Sequence, residues 1–282
     1  MPELPEVEIT ARRLSGALAG TSVDSAVARG MVTMKTVDPP LDALTGQTLS
    51  DVRRIGKMLV VEFGPLALLV HLMSAGRLQL YDKHASLKDR TVRLLVRLAD
   101  GRELRLREFG TKQRAWAKLL EKSAIPDTEE VATLGPPAWP APSPDAFSDL
   151  IAEPRHLHPL LRDQRTIAGI GRSWVDEILW EARLSPFQKG SELEQTEVEG
   201  LRTACGSVLG GALDHYEGVI GDVVPDKLPM PLKVHRRQGE PCPRCGARLE
   251  AVHYKDYVMT YCPPEQSGGR VYKDRRLSRL LK

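Results

Sequence analysis

The sequence predicts an α+β protein: an N-terminal β-sandwich capped by one helix, then a helical domain, then a small cysteine-bearing module. Three observations predict it. Short apolar or alternating runs crowd residues 20–120. A Pro-rich stretch at 135–144, Gly-Pro-Pro-Ala-Trp-Pro-Ala-Pro-Ser-Pro, interrupts the chain, and helical spacing resumes after it. Three of the four cysteines fall late, at Cys242, Cys245 and Cys262.

Leu4, Val7, Ala11, Leu14 and Leu18 recur at helical spacing, so residues 3–18 read as one helix. Strands follow at Val23–Ala28, Val52–Ile55, Met58–Phe63 and Ala67–Leu72. Thr91–Leu98 and Glu103–Arg107 flank Ala99-Asp100-Gly101, and an Asp-Gly pair between two such runs predicts a hairpin. Helices are expected from Pro144 and over 194–215. The resulting division is 1–130 for the sandwich, 131–144 for a stiff linker, and 145–232 for the helical domain. Residues 233–268 form the cysteine module and 269–282 a basic tail.

The composition is that of an ordinary globular protein, 41% hydrophobic and 27% charged over 282 residues. No apolar run is long enough for a membrane helix, and the start lacks a secretory pattern. A cytoplasmic, nucleoid-associated monomer is expected. In a reducing compartment the late cysteines suggest metal rather than disulfides, while Cys205, among small residues, reads as core. The net charge of +3 is uneven: residues 233–282 hold twelve Lys/Arg against five Asp/Glu, a net +7, which leaves −4 for the rest. A basic module on an acidic body points to a polyanion, nucleic acid first; a solubilising tail would have the same composition.

The first eight residues, Met1-Pro2-Glu3-Leu4-Pro5-Glu6-Val7-Glu8, carry the most chemistry. Without the initiator methionine, Pro2 is a terminal secondary amine, and an α-amino group titrates near pH ~8. Its free base can attack an aldehyde-like carbon and form a Schiff base. Glu3 beside it can protonate a leaving oxygen. The same residues also suit a plain helix start, with proline early and carboxylates in the first turn.

Several stretches together resemble the formamidopyrimidine-DNA glycosylase / endonuclease VIII family (Fpg/Nei), over about residues 1–266. The first eight residues resemble its N-terminus, which implies Pro2 as nucleophile and Glu3 as acid. The segment from Arg54 through Gly56-Lys57 to Phe63 resembles its glycine–lysine hairpin, implying that Lys57 approaches DNA near the reacting nucleotide. His71-Leu-Met-Ser-Ala-Gly76 resembles the segment that supplies an intercalating methionine, but an ungapped match puts Ser74 there and Met73 one residue early. On a strand that slip would turn Met73 to the other face. Arg107-Glu-Phe109-Gly110 resembles the loop whose arginine and phenylalanine enter the duplex; Phe109 alone could equally be core. Residues 160–179, with Gly169, Gly171, Arg172, Trp174, Asp176 and Glu177, resemble the helix–two-turn–helix motif that binds phosphate. Arg172 replaces the family's asparagine, and His158 a phosphate-contacting lysine. The short 216–232 segment looks closer to the endonuclease VIII branch.

The late cysteines resemble the family's four-cysteine zinc finger with one ligand exchanged. Cys242, Cys245 and Cys262 match, and the fourth position is Glu265. A Zn2+ ion is therefore expected, on three cysteines with Glu265, His253 or water; loss of the metal is the alternative. Where the family's finger has a phosphate-gripping arginine stands Tyr257. Lys255, two residues earlier and so on the same strand face, or the basic tail from Arg270 onward, could replace it.

The resemblance implies a zinc-finger-like β-hairpin beside the helix–two-turn–helix, with double-stranded DNA holding a damaged base or abasic site in a cleft between the domains. The implied activity is a bifunctional glycosylase and abasic-site lyase. The alternative is a damage- or structure-specific DNA-binding protein of the same fold that lost ordinary glycosylase action. A third reading keeps the chemistry and shifts the substrate to abasic sites or bulky adducts.

Overall fold

Alternating apolar residues make strands, and the face they bury makes the sandwich. In the computed structural model, which describes residues 2–272, the chain divides into two compact units. One is Met1–Thr133 with Leu213–Pro229, the other Leu134–Ala212 with Met230–Lys282. Residues 213–229, which the sequence assigns to the helical domain, thus group with the sandwich. Met1 and the tail positions Lys273, Arg275, Arg276, Arg279 and Lys282 lie outside the described residues.

The first unit runs α1 (Leu4–Leu18), β1 (Val23–Ala28), the single turn α2 (Gly30–Thr33), β2 (Leu49–Ile55), β3 (Met58–Phe63), β4 (Leu66–His71), β5 (Gly76–Tyr81), β6 (Val92–Leu98), β7 (Glu103–Glu108), β8 (Trp116–Glu121) and the single turn α3 (Glu129–Ala132). Two four-stranded antiparallel sheets form, in the orders β1-β6-β7-β5 and β2-β3-β4-β8. Val52, Leu59, Val61 and Val70 of one sheet share a core with Val23, Leu94, Val96, Leu104 and Leu106 of the other. Val7, Ala11, Leu14 and Leu18 of α1 join that core, so the helix packs its apolar stripe on the sandwich. Every residue of β3 is buried, which is why it reads as a continuous apolar run. The strands that spacing misses, β5 and β8, both lie at sheet edges, where charged Arg77 and Lys118 break the apolar signal.

The second unit holds α4 (Pro144–Ile151), α5 (Leu157–Arg162), α6 (Arg172–Glu181), most of α7 (Gln195–Val219), the hairpin β9 (Glu250–His253) and β10 (Val258–Tyr261), and the single turn α8 (Pro263–Gln266). The Pro-rich stretch is packed rather than free: Gly135 N–H donates to Gln164 O at 2.9 Å, Ala138 N–H to Ala168 O at 2.9 Å, and Ala138 is fully buried. Cys205 is core, with its thiol pushed up to about 12 by burial.

Helix α6 organises this unit through two adjacent buried carboxylates. Glu177 accepts the backbone N–H groups of Lys233, Val234 and His235 at 2.9, 2.9 and 2.8 Å. Asp176 Oδ2 accepts the Thr260 N–H at 3.1 Å and lies 2.6 Å from His235 Nδ1. Burial pushes the Glu177 carboxyl up despite its three donors. These bonds tie the start of the cysteine module and strand β10 to α6.

Gly76 shows how tightly the β4–β5 turn is drawn, since a Cβ there would lie 2.3 Å from Leu72 O. Gly76→Ala is expected to destabilise the first unit by about 1–3 kcal/mol, read as a lower urea midpoint at unchanged slope.

Candidate active site and metal centre

The N-terminal residues form the helix start that the sequence allows. Pro2 is buried and Glu3 is the N-cap of α1. Glu6 Oε2 accepts the Glu3 backbone N–H at 2.8 Å, the return half of a capping box. Its Oε1 accepts the Tyr216 hydroxyl at 2.7 Å. Burial raises the Tyr216 pKa well above the usual phenol range, reinforced by the charges of Glu6 and Glu3, so the hydroxyl stays a donor. Tyr216 was not readable as a site residue: it lies 210 positions from Glu6, beyond the expected helix end at 215. The helix continues to Val219, and its last turn is anchored by Tyr216 and by Glu217, which pairs with Arg12 at 3.0 Å and Arg13 at 2.7 Å.

Lys57 sits at the second position of the two-residue turn between β2 and β3, after Gly56 with φ 56°. It is only 9% exposed. His71, at the end of β4, accepts the Met73 N–H on Nδ1 at 2.9 Å and stacks on Trp116. Burial, and then the Lys57 charge, pull His71 down to about 4, so it is a neutral acceptor at physiological pH.

Met73 is not on a strand. Residues 73–75 form the β4–β5 turn, with Met73 half-buried at φ 51° and Ser74 exposed at the tip. The face-alternation argument against Met73 therefore does not apply. Phe109 N–H donates to Ala75 O at 3.2 Å, which brings the Phe109 loop alongside this turn. Phe109 is half-buried under the Arg107 guanidinium, 4.5 Å from its ring centre. Arg107 also donates to Tyr81 Oη at 2.9 Å. Buried Glu108 closes the loop by accepting Arg114 N–H at 2.7 Å and Ala115 N–H at 2.9 Å; nothing local in the sequence marks it. The short 220–229 segment lies on β5, with Val224 O and Asp226 O each accepting at 2.6 Å from Gln79 and Arg77.

In the second unit several expected phosphate contacts are otherwise engaged. Gly169, at φ 113°, donates its N–H to Gln164 Oε1 at 2.9 Å rather than presenting it outward. Gly171 is the buried N-cap of α6, and Arg172 is the first helical residue. Arg172 grips Asp256 through its backbone O at 2.5 Å and Oδ2 at 2.6 Å. His158 is 1% exposed, 3.3 Å from Asp176 Oδ1, and stacks on Tyr257 at 5.5 Å. Lys255 is exposed, but residues 254–257 are the turn between β9 and β10. Lys255 and Tyr257 thus do not share a strand face, contrary to the alternation argument. Arg270 is exposed, its guanidinium 4.9 Å from the Tyr272 ring centre.

The sulfurs of Cys242, Cys245 and Cys262 lie within 4.8 Å of one another. Cys242 Sγ receives the Trp180 indole N–H at 3.4 Å. Burial opposes its ionisation, but N–H groups of Cys245 and Arg244 and the indole outweigh burial and bring the thiol down to about 7. Burial holds Cys262 up, at about 12. Three converging sulfurs suit a borderline-soft divalent cation. Glu265, expected as the fourth ligand, is not in this group among the described residues. Its Oε2 pairs with Arg244 at 3.2 Å and Arg183 at 3.6 Å.

Residues 1–112 match the family model of the formamidopyrimidine-DNA glycosylase N-terminal domain, and residues 134–223 that of its H2TH domain. The chain belongs to the Fpg/Nei family. It is 29% identical over 267 residues to the formamidopyrimidine-DNA glycosylase of Streptococcus agalactiae, covering 89% of this chain and 93% of the relative. The Lactococcus lactis enzyme, solved non-covalently bound to DNA with an AP site, is 25% identical at TM-score 0.80, covering 94% and 99% of the two chains. A MutM structure with DNA containing carbocyclic 8-oxo-G is also 25% identical, at TM-score 0.82, covering 94% of this chain and all of that one. Among the described residues no helix is long and apolar enough to cross a membrane.

His71 makes the first unit acid-sensitive. The unfolded chain takes up a proton on His71 below about pH 6.5, whereas the folded one resists until about 4. Stability from this residue is complete above pH 6.5 and declines toward pH 4. In His71→Asn, melting temperature should fall less steeply across that window.

Proposed function

We propose that this chain is a bifunctional DNA glycosylase and abasic-site lyase acting on double-stranded DNA with a damaged base or an abasic site. The observation that carries the reading is the braced N-terminus: Pro2 enters α1 beside Glu3, whose backbone is held by a Glu6 that Tyr216 also holds. With the initiator methionine removed, the Pro2 nitrogen bonds to sugar C1′ as the base leaves. Glu3 protonates the ring oxygen, the ring opens and an iminium forms. Loss of a C2′ proton then expels the 3′ phosphate, and a further proton loss expels the 5′ phosphate. Glu3 is the carboxylate next to Pro2 in the chain, and Glu6 positions its backbone. Lys57 supplies positive charge for the phosphates, and Phe109, with Arg107 or Met73, fills the space an extruded nucleotide vacates.

We assign Zn2+ to Cys242, Cys245 and Cys262, where it would hold the module's loops to the hairpin; the fourth position is left to a ligand other than Glu265. The setting that fits this substrate is the cytoplasm, at the nucleoid.

The rival reading is a DNA-binding protein without ordinary glycosylase action. It is favoured by the engagement of Arg172 with Asp256 and by buried His158 under Tyr257. Borohydride trapping on a duplex with one abasic site separates the two. The wild type, with free Pro2 verified by mass, should give a covalent adduct, and Pro2→Gly at least tenfold less. Glu3→Gln should slow base excision by about 10²–10⁴-fold. Duplex binding with no adduct from verified free Pro2 would select the binding protein.

Metal content tests the ligand set. Cys262→Ser should lose the single zinc measured by elemental analysis, while Glu265→Gln should retain it.

A further inference from the structure

The second unit contains a pocket that the chemistry above does not use. It is about 650 Å³ in volume and lies between the β9–β10 hairpin and the segments around His156 and Phe187. A volume of roughly 300–1,000 Å³ is usual for an organic ligand the size of a nucleotide or a drug. Aromatic faces dominate the lining. Tyr254 and Tyr257 stack at 4.4 Å with ring planes 9° apart, and Phe187 lies against Tyr272 with centroids 3.8 Å apart. Tyr272 is held in place by its N–H bond to Tyr261 Oη at 2.8 Å.

No carboxylate is among the described lining residues, whereas Arg270 and His156 are, both exposed; Asp256, next to Tyr257, is paired with Arg172. Arg162 and Arg172 place their guanidiniums 4.2 and 5.7 Å from the Tyr257 ring centre. Flat rings interleaved with cations are what an unstacked base on a phosphate backbone requires. A paired base cannot use such a pocket, because its faces are covered by its neighbours in the duplex. Tyr257 stands where a phosphate clamp is expected, and it places there an aromatic ring stacked with Tyr254 and His158 in place of a charge.

We propose that this pocket receives the base of an unpaired nucleotide, so that the chain binds single-stranded or locally opened DNA through Tyr254, Tyr257, Phe187 and Arg270. This rests on DNA being the partner, as proposed above.

The test is fluorescence anisotropy with the full chain, using labelled dT15 and an undamaged 15-base-pair duplex. Tyr254→Leu should weaken dT15 binding by about tenfold while weakening the duplex less than twofold, and Tyr254→Phe, which keeps the ring, should restore dT15 binding. No loss for dT15, or equal loss on both probes in a variant of unchanged melting temperature, overturns the proposal. So does failure of Tyr254→Phe to restore binding. Deleting residues 273–282 should leave the Tyr254→Leu effect in place; its disappearance would assign the pocket to the chain's own C-terminal segment. Adduct trapping is read separately. An adduct without a Tyr254 effect on dT15 sinks this proposal alone, and a Tyr254 effect without an adduct sinks the lyase and leaves the pocket standing.

Discussion

A carboxylate taken out of water must be met by donors, and Glu6 is the one on which the proposed chemistry depends. It is 3% exposed and receives the Glu3 backbone N–H and the Tyr216 hydroxyl. An amine nucleophile works only if its approach is held to a fraction of an ångström, and a chain terminus ordinarily frays. Here the first turn of α1 is pinned through Glu6 to the last turn of α7. The apolar stripe of α1 on the sandwich supplies the rest of the support. The N-terminal residues are therefore held both by the core and by α7 within their unit.

The second unit repeats the device with a different consequence. Asp176 and Glu177 are buried side by side on α6, and their donors come from the loop before Cys242 and from β10. Burying two charges in one place is costly: Glu177 is met by three N–H donors, whereas Asp176 Oδ1 has no hydrogen-bond partner among the described residues. The N–H donors of Lys233, Val234, His235 and Thr260 tie the cysteine module to α6. Carboxylates, an indole N–H and thiol packing already hold the three cysteines close.

The differences from the family pattern form a connected set. His158 lies under Tyr257, Arg172 reaches across to Asp256, and Tyr254 stacks on Tyr257. A tyrosine in place of an arginine at the hairpin turn needs flat neighbours rather than anions, and histidine and tyrosine provide them. Arg172 is longer than the expected asparagine and can span to the turn. These residues come from separate stretches of the sequence and form one packed cluster in the structure.

The sequence by itself determined the sandwich with its capping helix, the change to helices near residue 140, the proline–glutamate terminus and the grouping of three cysteines. Each is written in local periodicity or short spacing, which act over a few residues. It determined less well the edge strands β5 and β8, where charge masks alternation, and the end of α7, which is sustained by contacts with α1. Only the tertiary structure decided that Tyr216 braces Glu6, that Gly169 spends its N–H on Gln164, that Met73 and Lys255 sit in turns, and that Glu265 turns to two arginines. For Tyr216 and Glu265 the physical reason is the same: which partner a polar group takes depends on what the fold brings within about 3 Å of it, and partners 210 and 21 residues away leave no trace in local pattern.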